Sequence, residues 1–186
     1  MRNLLIILIL SASLQGCFPV IAAGAGAGAL MANDRRTSGA YVEDEAIETK
    51  AFDRIGKQYK STAHVNVTSY NRNVLISGEV PDETAKAQVE RIVANIQNVG
   101  KIHNELVVAG NSSMTSRSND SLITSNVKLR FVGDQRFSAN NIKVVTENGI
   151  VYLMGIVKPA EARAAGEVAS GSSGVTRVVE LFEYVE

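Results

Sequence analysis

Cysteine, tryptophan, proline and histidine are scarce in this chain of 186 residues: one Cys, no Trp, three Pro and two His. A single cysteine, Cys17, excludes an intramolecular disulfide in any compartment. His64 and His103 stand far apart, with no cysteine near them and no H-E-x-x-H spacing. Each reads as an ordinary strand histidine, so the sequence predicts no metal and no cofactor. An excess of one charge is missing too. Nineteen Lys plus Arg balance nineteen Asp plus Glu, which leaves no global field to gather nucleic acid. Any anion must be held by a local patch. No Gly-x-Ser-x-Gly elbow occurs, and the serines crowd into linker-like stretches. Glu43-Asp44-Glu45 reads as the acidic opening of a helix rather than a carboxylate pair for acid–base chemistry. The chain is therefore read as non-enzymatic. A spanning helix needs roughly 20 apolar residues, and Ser11, Ser13 and Gln15 interrupt the first apolar run too early.

What is present begins with that run. Arg2 supplies a positive n-region, Leu4 to Leu10 a short h-region, and small Gly16 stands directly before Cys17. This is the order of a secretory signal. The stretch Leu14-Gln15-Gly16-Cys17 resembles the lipobox of bacterial lipoproteins. The resemblance implies cleavage after residue 16 and acylation of Cys17, which anchors the chain to the outer membrane with its body in the periplasm. Phe18 stands where an inner-membrane retention signal would show aspartate. Residues 17–42, with Gly24-Ala25-Gly26-Ala27-Gly28, read as a flexible tether. The glycines are not a phosphate loop, because nothing strand-like precedes them.

The rest of the chain is one motif written twice. Asn71-Arg72-Asn73-Val74-Leu75-Ile76-Ser77-Gly78 answers to Asn148-Gly149-Ile150-Val151-Tyr152-Leu153-Met154-Gly155. In the first copy Ile47, Ala51 and Ile55 fall at i, i+4, i+8, an amphipathic helix over Glu45 to Lys57. Two alternating strands, Val65–Tyr70 and Val74–Val80, follow around a hairpin turn. A helix opened by Pro81-Asp82-Glu83 and stopped by Gly100 precedes a last strand over Lys101–Val108. The second copy repeats this order with Asn148-Gly149 as a type I′ turn. The spacing predicts an α+β fold: two tandem αββαβ domains, each a small mixed sheet packed against two helices. They span residues 43–110 and 119–186, fold independently, and are joined by a Ser-rich linker over 111–118. Gly78 and Gly155 recur at strand positions that need close backbone approach, a structural role.

Two αββαβ units behind a lipobox, with glycine-ended strands, resemble the dual BON-domain outer-membrane lipoproteins of the DolP (YraP) family. Asn119-Asp120, Ile123-Thr124, Thr146-Glu147-Asn148-Gly149 and Leu153-Met154-Gly155 carry the likeness most specifically. It implies binding of anionic phospholipid through the first helix of the second domain, support of outer-membrane integrity, and action near the division site. Relatives show an interfacial tryptophan where this chain has Leu122. Helical projection supports a second face: Leu122 and Leu129 lie apart from the core stripe Ile123, Val127 and Phe131, beside Ser125, Asn126 and Gly133. The first domain has Ala46 and Asp53 at the two leucine positions. Arg130 and Arg136 are candidate phosphate contacts on the flank. The alternative is that the leucines pack against the first domain or a neighbour, in a scaffold that binds envelope proteins or peptidoglycan. Cys17→Ala is expected to abolish acylation and outer-membrane fractionation. An unchanged mass and an unchanged membrane location would refute the anchor.

Overall fold

The computed structural model describes residues 34–59 and 62–186. The signal peptide, Cys17 and the tether up to residue 33 lie outside the described residues.

Helix α1 (Ser38–Tyr59) turns Ile47, Ala51 and Ile55 inward. It starts earlier than its acidic cluster suggests, with Thr37 Oγ1 accepting from the amide of Ala40 at 3.1 Å. The tether therefore does not extend to residue 42. Residues just before the helix are also pinned: the Arg36 guanidinium lies 4.1 Å over the Tyr70 ring and pairs with Asp34 and Asp44. Strands β1 (His64–Tyr70) and β2 (Asn73–Val80) form an antiparallel hairpin. Its turn residues, Asn71 and Arg72, have φ of 50° and 67°, the left-handed pair of a type I′ turn. Helix α2 (Glu83–Ala94) is capped by Asp82, whose Oδ1 accepts from the amide of Ala85 at 2.8 Å. It ends at Asn95, before Gly100. The expected last strand is split into β3 (Ile102–Asn104) and β4 (Val107–Val108), both parallel to β2. Between them Leu106 turns into the core.

The second copy runs α3 (Met114–Gly133), a 3₁₀ turn at Ala139–Asn141, β5 (Ile142–Glu147), β6 (Ile150–Val157), α4 (Pro159–Ser170) and β7 (Arg177–Tyr184). Its sheet order is β5-β6-β7, antiparallel then parallel, matching β1-β2-β3. The serines of the expected linker belong to a helix start. Ser113 Oγ accepts from the amide of Ser116 at 3.1 Å, so helix replaces linker from Met114. Gly78 and Gly155 hold equivalent positions on the central strands. Gly78 has φ of 114°, and a Cβ there would collide with the His64 carbonyl oxygen. At Gly155 a Cβ would lie 2.5 Å from the Asn141 carbonyl oxygen.

The central strands are buried on both faces. Val74, Ile76 and Val80 face their own helices, as do Val151, Leu153 and Val157. The opposite faces, carrying Tyr70 and Leu75 from one copy and Tyr152 and Met154 from the other, pack against each other. Val145, Ile150, Ile156, Val179 and Leu181 close the edge of this cluster. The layers therefore run helices, sheet, sheet, helices. Polar bonds tie the seam at its margins: Asn73 Nδ2 donates to Glu183 Oε1 at 2.7 Å, Lys143 Nζ to Glu48 Oε1 at 2.7 Å, and Tyr70 OH to the Asn141 carbonyl at 3.1 Å. Arg35 clips the same seam, donating to Glu161 Oε1 at 2.9 Å and to the Ile156 carbonyl at 2.9 Å.

Each copy has a core of its own, and the two also share a smaller interior at the seam, so independent folding of the copies is open to a fragment experiment. Burying one leucine or methionine fully contributes roughly 1.5–3 kcal/mol, and separation would expose several such residues at once. A fragment over residues 111–186 is expected to self-associate or bind a hydrophobic dye, whereas 34–186 stays monomeric and dye-free. Sedimentation and dye fluorescence check this, and a monomeric, dye-silent fragment would refute it.

Candidate functional site

The orientation of α3 is set by one carboxylate. Asp120 is buried, its Oδ2 accepting from the amide of Asn148 at 3.0 Å and its Oδ1 from that of Gly149 at 2.8 Å. It thus binds the two turn residues of its own hairpin. Asp44 does the same in the first copy, accepting from Asn71 N at 2.8 Å, Arg72 N at 2.7 Å and Ser69 Oγ at 2.6 Å. Asp44 is therefore not part of a helix opening. It sits inside α1 as the anchor between helix and hairpin, a role that spacing alone does not reveal.

With Asp120, Ile123, Val127 and Phe131 turned inward, the opposite face of α3 is fixed outward. Leu122 and Leu129 are 70% and 73% exposed, and neither is covered by the first domain. Met114 and Val132, each 75% exposed, fall within the same sector, as do Ser118, Ser125 and Gly133. The result is an apolar stripe along the whole helix, longer than the two leucines suggest. Asn126 is half-buried at its edge.

The cations divide. Arg130 Nη1 donates to the neutral Ser172 Oγ at 3.0 Å, and its guanidinium makes no ion pair among the described residues. Arg136 is committed elsewhere, to Asp134 Oδ2 at 2.8 Å and Glu167 Oε2 at 2.7 Å. Hydrogen bonds to Asp134 and then Glu167 hold its guanidinium above the ordinary range, and Arg136 in turn lowers the Asp134 carboxyl. Exposed Lys128, on the flank opposite Arg130, makes no ion pair among the described residues. It is the cation that the sequence reading missed.

The first domain has a different outward feature. Phe52 on α1 is 80% exposed. It borders a groove of about 650 Å³ between α1 and β1, floored by Ile55, Tyr59, Val65 and Val67. The two first helices are thus not apolar-versus-bland, as Ala46 and Asp53 imply, but apolar at different places. Among the described residues no helix is long and apolar enough to cross a membrane.

The BON domain family model matches twice, over residues 43–110 and 119–186. The chain is 36% identical over 188 residues to Outer membrane lipoprotein DolP of Haemophilus influenzae, covering 100% of this chain and 97% of that protein. It is 35% identical over 155 residues to the 21 kDa hemolysin of Actinobacillus pleuropneumoniae, covering 82% and 80%. Among solved structures, the C-terminal domain of CdsD, a structural protein of the type III secretion system of Chlamydia trachomatis, matches with a TM-score of 0.32 at 11% identity, covering 71% of this chain and 96% of that one.

Because Asp120 is the link between α3 and the hairpin turn, Asp120→Ala is expected to leave two turn amides without acceptors. Hydrogen bonds to a charged group contribute roughly 1.5–3 kcal/mol each, so the loss should be about 3 kcal/mol in urea unfolding. A loss below about 1 kcal/mol would show that the turn holds without the aspartate.

Proposed function

This chain belongs to the BON-domain family, and from that premise we propose that it is a non-enzymatic outer-membrane lipoprotein facing the periplasm, whose second domain binds anionic phospholipid. The observation that carries the reading is the outward stripe of α3. Leu122 and Leu129 have no partner within the described fold, although one core face needs only one apolar stripe. Inserting them between headgroups gains roughly 1.5–3 kcal/mol per fully buried leucine. Lys128 and Arg130 on the two flanks add about 1 kcal/mol each at an anionic surface. Arg136 is left out of the contact, since Asp134 and Glu167 already hold it.

Such terms are too small to retain a free protein, but they suffice for one already confined by acylated Cys17. The anchor supplies location, and α3 supplies lipid discrimination in support of outer-membrane integrity, with division as the setting implied by the family likeness. Missing aromatic character at Leu122 shifts the contact toward plain apolar insertion, because leucine lacks the polar tip that suits tryptophan to the headgroup layer.

A second reading rests on a separate observation. Phe52 and its groove offer the first domain an apolar surface of its own, suited to an envelope protein partner. The two readings assign different helices, and so they separate experimentally. Leu122→Glu with Leu129→Glu is expected to abolish amide-shift changes on titration with anionic micelles, with the fold intact by circular dichroism. Phe52→Ser should leave those changes in place. Unimpaired micelle binding by the double variant would refute the lipid contact and favour the scaffold reading.

A further inference from the structure

We propose that the seam between the two sheets is a divalent-cation site built from His64, Glu79 and Glu147, suited to a zinc-type transition metal. His64 and Glu79 are cross-strand partners on β1 and β2. Glu147 ends β5 of the other domain. One ligand atom from each lies within 4.8 Å of the others.

This corner gathers two buried carboxylates beside one histidine. Glu79 and Glu147 are only 2% and 6% exposed. Their hydrogen-bond donors are neutral: Asn148 Nδ2 at 2.6 Å and Ser112 N at 3.1 Å on Glu79, Asn66 Nδ2 at 2.9 Å and Ser77 Oγ at 3.4 Å on Glu147 Oε2. Among the described residues neither carboxylate pairs with a lysine or arginine. Two like charges removed from water are costly unless a counter-charge joins them. Burial pushes the Glu147 carboxyl up, with Glu79 and Asp120 adding to the effect, even though Asn66 and His64 oppose it.

The local geometry suits a metal better than a hydrogen bond. Glu147 Oε1 accepts no hydrogen bond among the described residues and faces His64 Nε2 at 3.7 Å, beyond hydrogen-bond length. Two ligands of one tetrahedral zinc, each about 2.0–2.1 Å from the ion, stand at a comparable separation, roughly 3.3 Å. Asn66 Nδ2 lies 3.2 Å from the same His64 nitrogen. The same amide donates to Glu147 Oε2 at 2.9 Å, so a metal bound at His64 Nε2 takes the place of Asn66 on that nitrogen's one lone pair. A cavity of about 180 Å³ lined by His64, Asn66, Arg117, Asp120 and Glu147, but not Glu79, opens beside two of the three ligands. One imidazole nitrogen with two carboxylate oxygens favours zinc over magnesium or calcium, which take oxygen-only sets. Because the ligands come from both domains, the ion would also fasten the sheets together.

The test is zinc titration of the detergent-solubilised full chain carrying Cys17→Ser, so that no thiol competes. Calorimetry is expected to give one Zn²⁺ per chain, with a rise in Tm that equimolar Mg²⁺ does not produce. His64→Ala and Glu147→Gln should each weaken binding at least tenfold, while His103→Ala changes nothing. Absence of saturable binding, or affinity undiminished by His64→Ala, would overturn the site. Equal protection by Mg²⁺ would overturn the choice of metal. Since a variant can disturb the seam itself, X-ray absorption of the zinc-loaded chain gives a second reading that needs no further substitution. One imidazole nitrogen among oxygen ligands supports the site, and a shell without imidazole overturns it.

Discussion

The outer face of each sheet is covered by the sheet of the other domain, and most of what the molecule presents to its surroundings depends on that. Tyr70 and Leu75 meet Tyr152 and Met154 in an interior that belongs to neither repeat alone. With those faces occupied, both helix pairs are confined to the outside of the stack. Each helix then buries one stripe against its own sheet and turns the remainder to solvent. Exposure of Leu122 and Leu129 is thus a consequence of the layer order. The same packing carries polar strand residues into the seam, where His64, Glu79 and Glu147 converge from strands that have no sequence relation to one another.

Within each layer the hairpin and the first helix are locked by an aspartate. Asp44 and Asp120 occupy equivalent helix positions and accept from equivalent turn amides. The left-handed turn residues Asn71-Arg72 and Asn148-Gly149 present those amides inward, and a buried carboxylate is tolerated because it is satisfied by them. This bond sets the rotation of α3 about its axis. A helix free to roll by one residue, roughly 100°, would move Leu129 off the outward sector. The repeat has therefore kept the anchor and varied what lies opposite it: Phe52 with a groove on one helix, a long leucine stripe on the other.

Much of this was legible in the chain. Helix stripes at i, i+4, i+8, the two hairpins and the repeat itself follow from periodicity and turn chemistry, and so does the separate face of Leu122 and Leu129. Other features were hidden for physical reasons. Leu75, Tyr152 and Met154 sit in short continuous apolar runs, a signature of strands buried on both faces, but alternation in the flanking residues reads as one-sided burial. Ser112 and Ser113 have linker composition, yet a serine before a helix is also an N-cap, and position decides between the two. Arg136 looks free in the sequence until the turn at Asp134 folds back onto it and Glu167 comes alongside. His64 looks isolated because its neighbours arrive by sheet pairing and by domain packing. Neither leaves a spacing motif.

The layer order also constrains how one body can meet two kinds of partner. The helix pair of each domain packs on its own sheet, and at one margin Lys128 of α3 shares a cleft with Tyr41, Asp44 and Glu45 of α1. Phe52 and the groove between α1 and β1 lie on a different helix from the α3 stripe, but His64 and Asn66 border both that groove and the cleft beside Arg117, Ser121 and Thr124 of α3. The lipid and scaffold readings use different helices, Leu122 and Leu129 on one and Phe52 on the other. A stiff link between the two faces is required for either to influence the other, and a shared sheet interior supplies it more firmly than a Ser-rich linker would. Arg35 strengthens that link from the N-terminal side: it reaches from the segment just before α1 to Glu161 and Ile156 of the second domain. The segment with which the described residues begin is therefore fixed to both domains. On the proposed reading, an anchor upstream of Asp34 would position the stack as a whole, with α3 as its lipid contact.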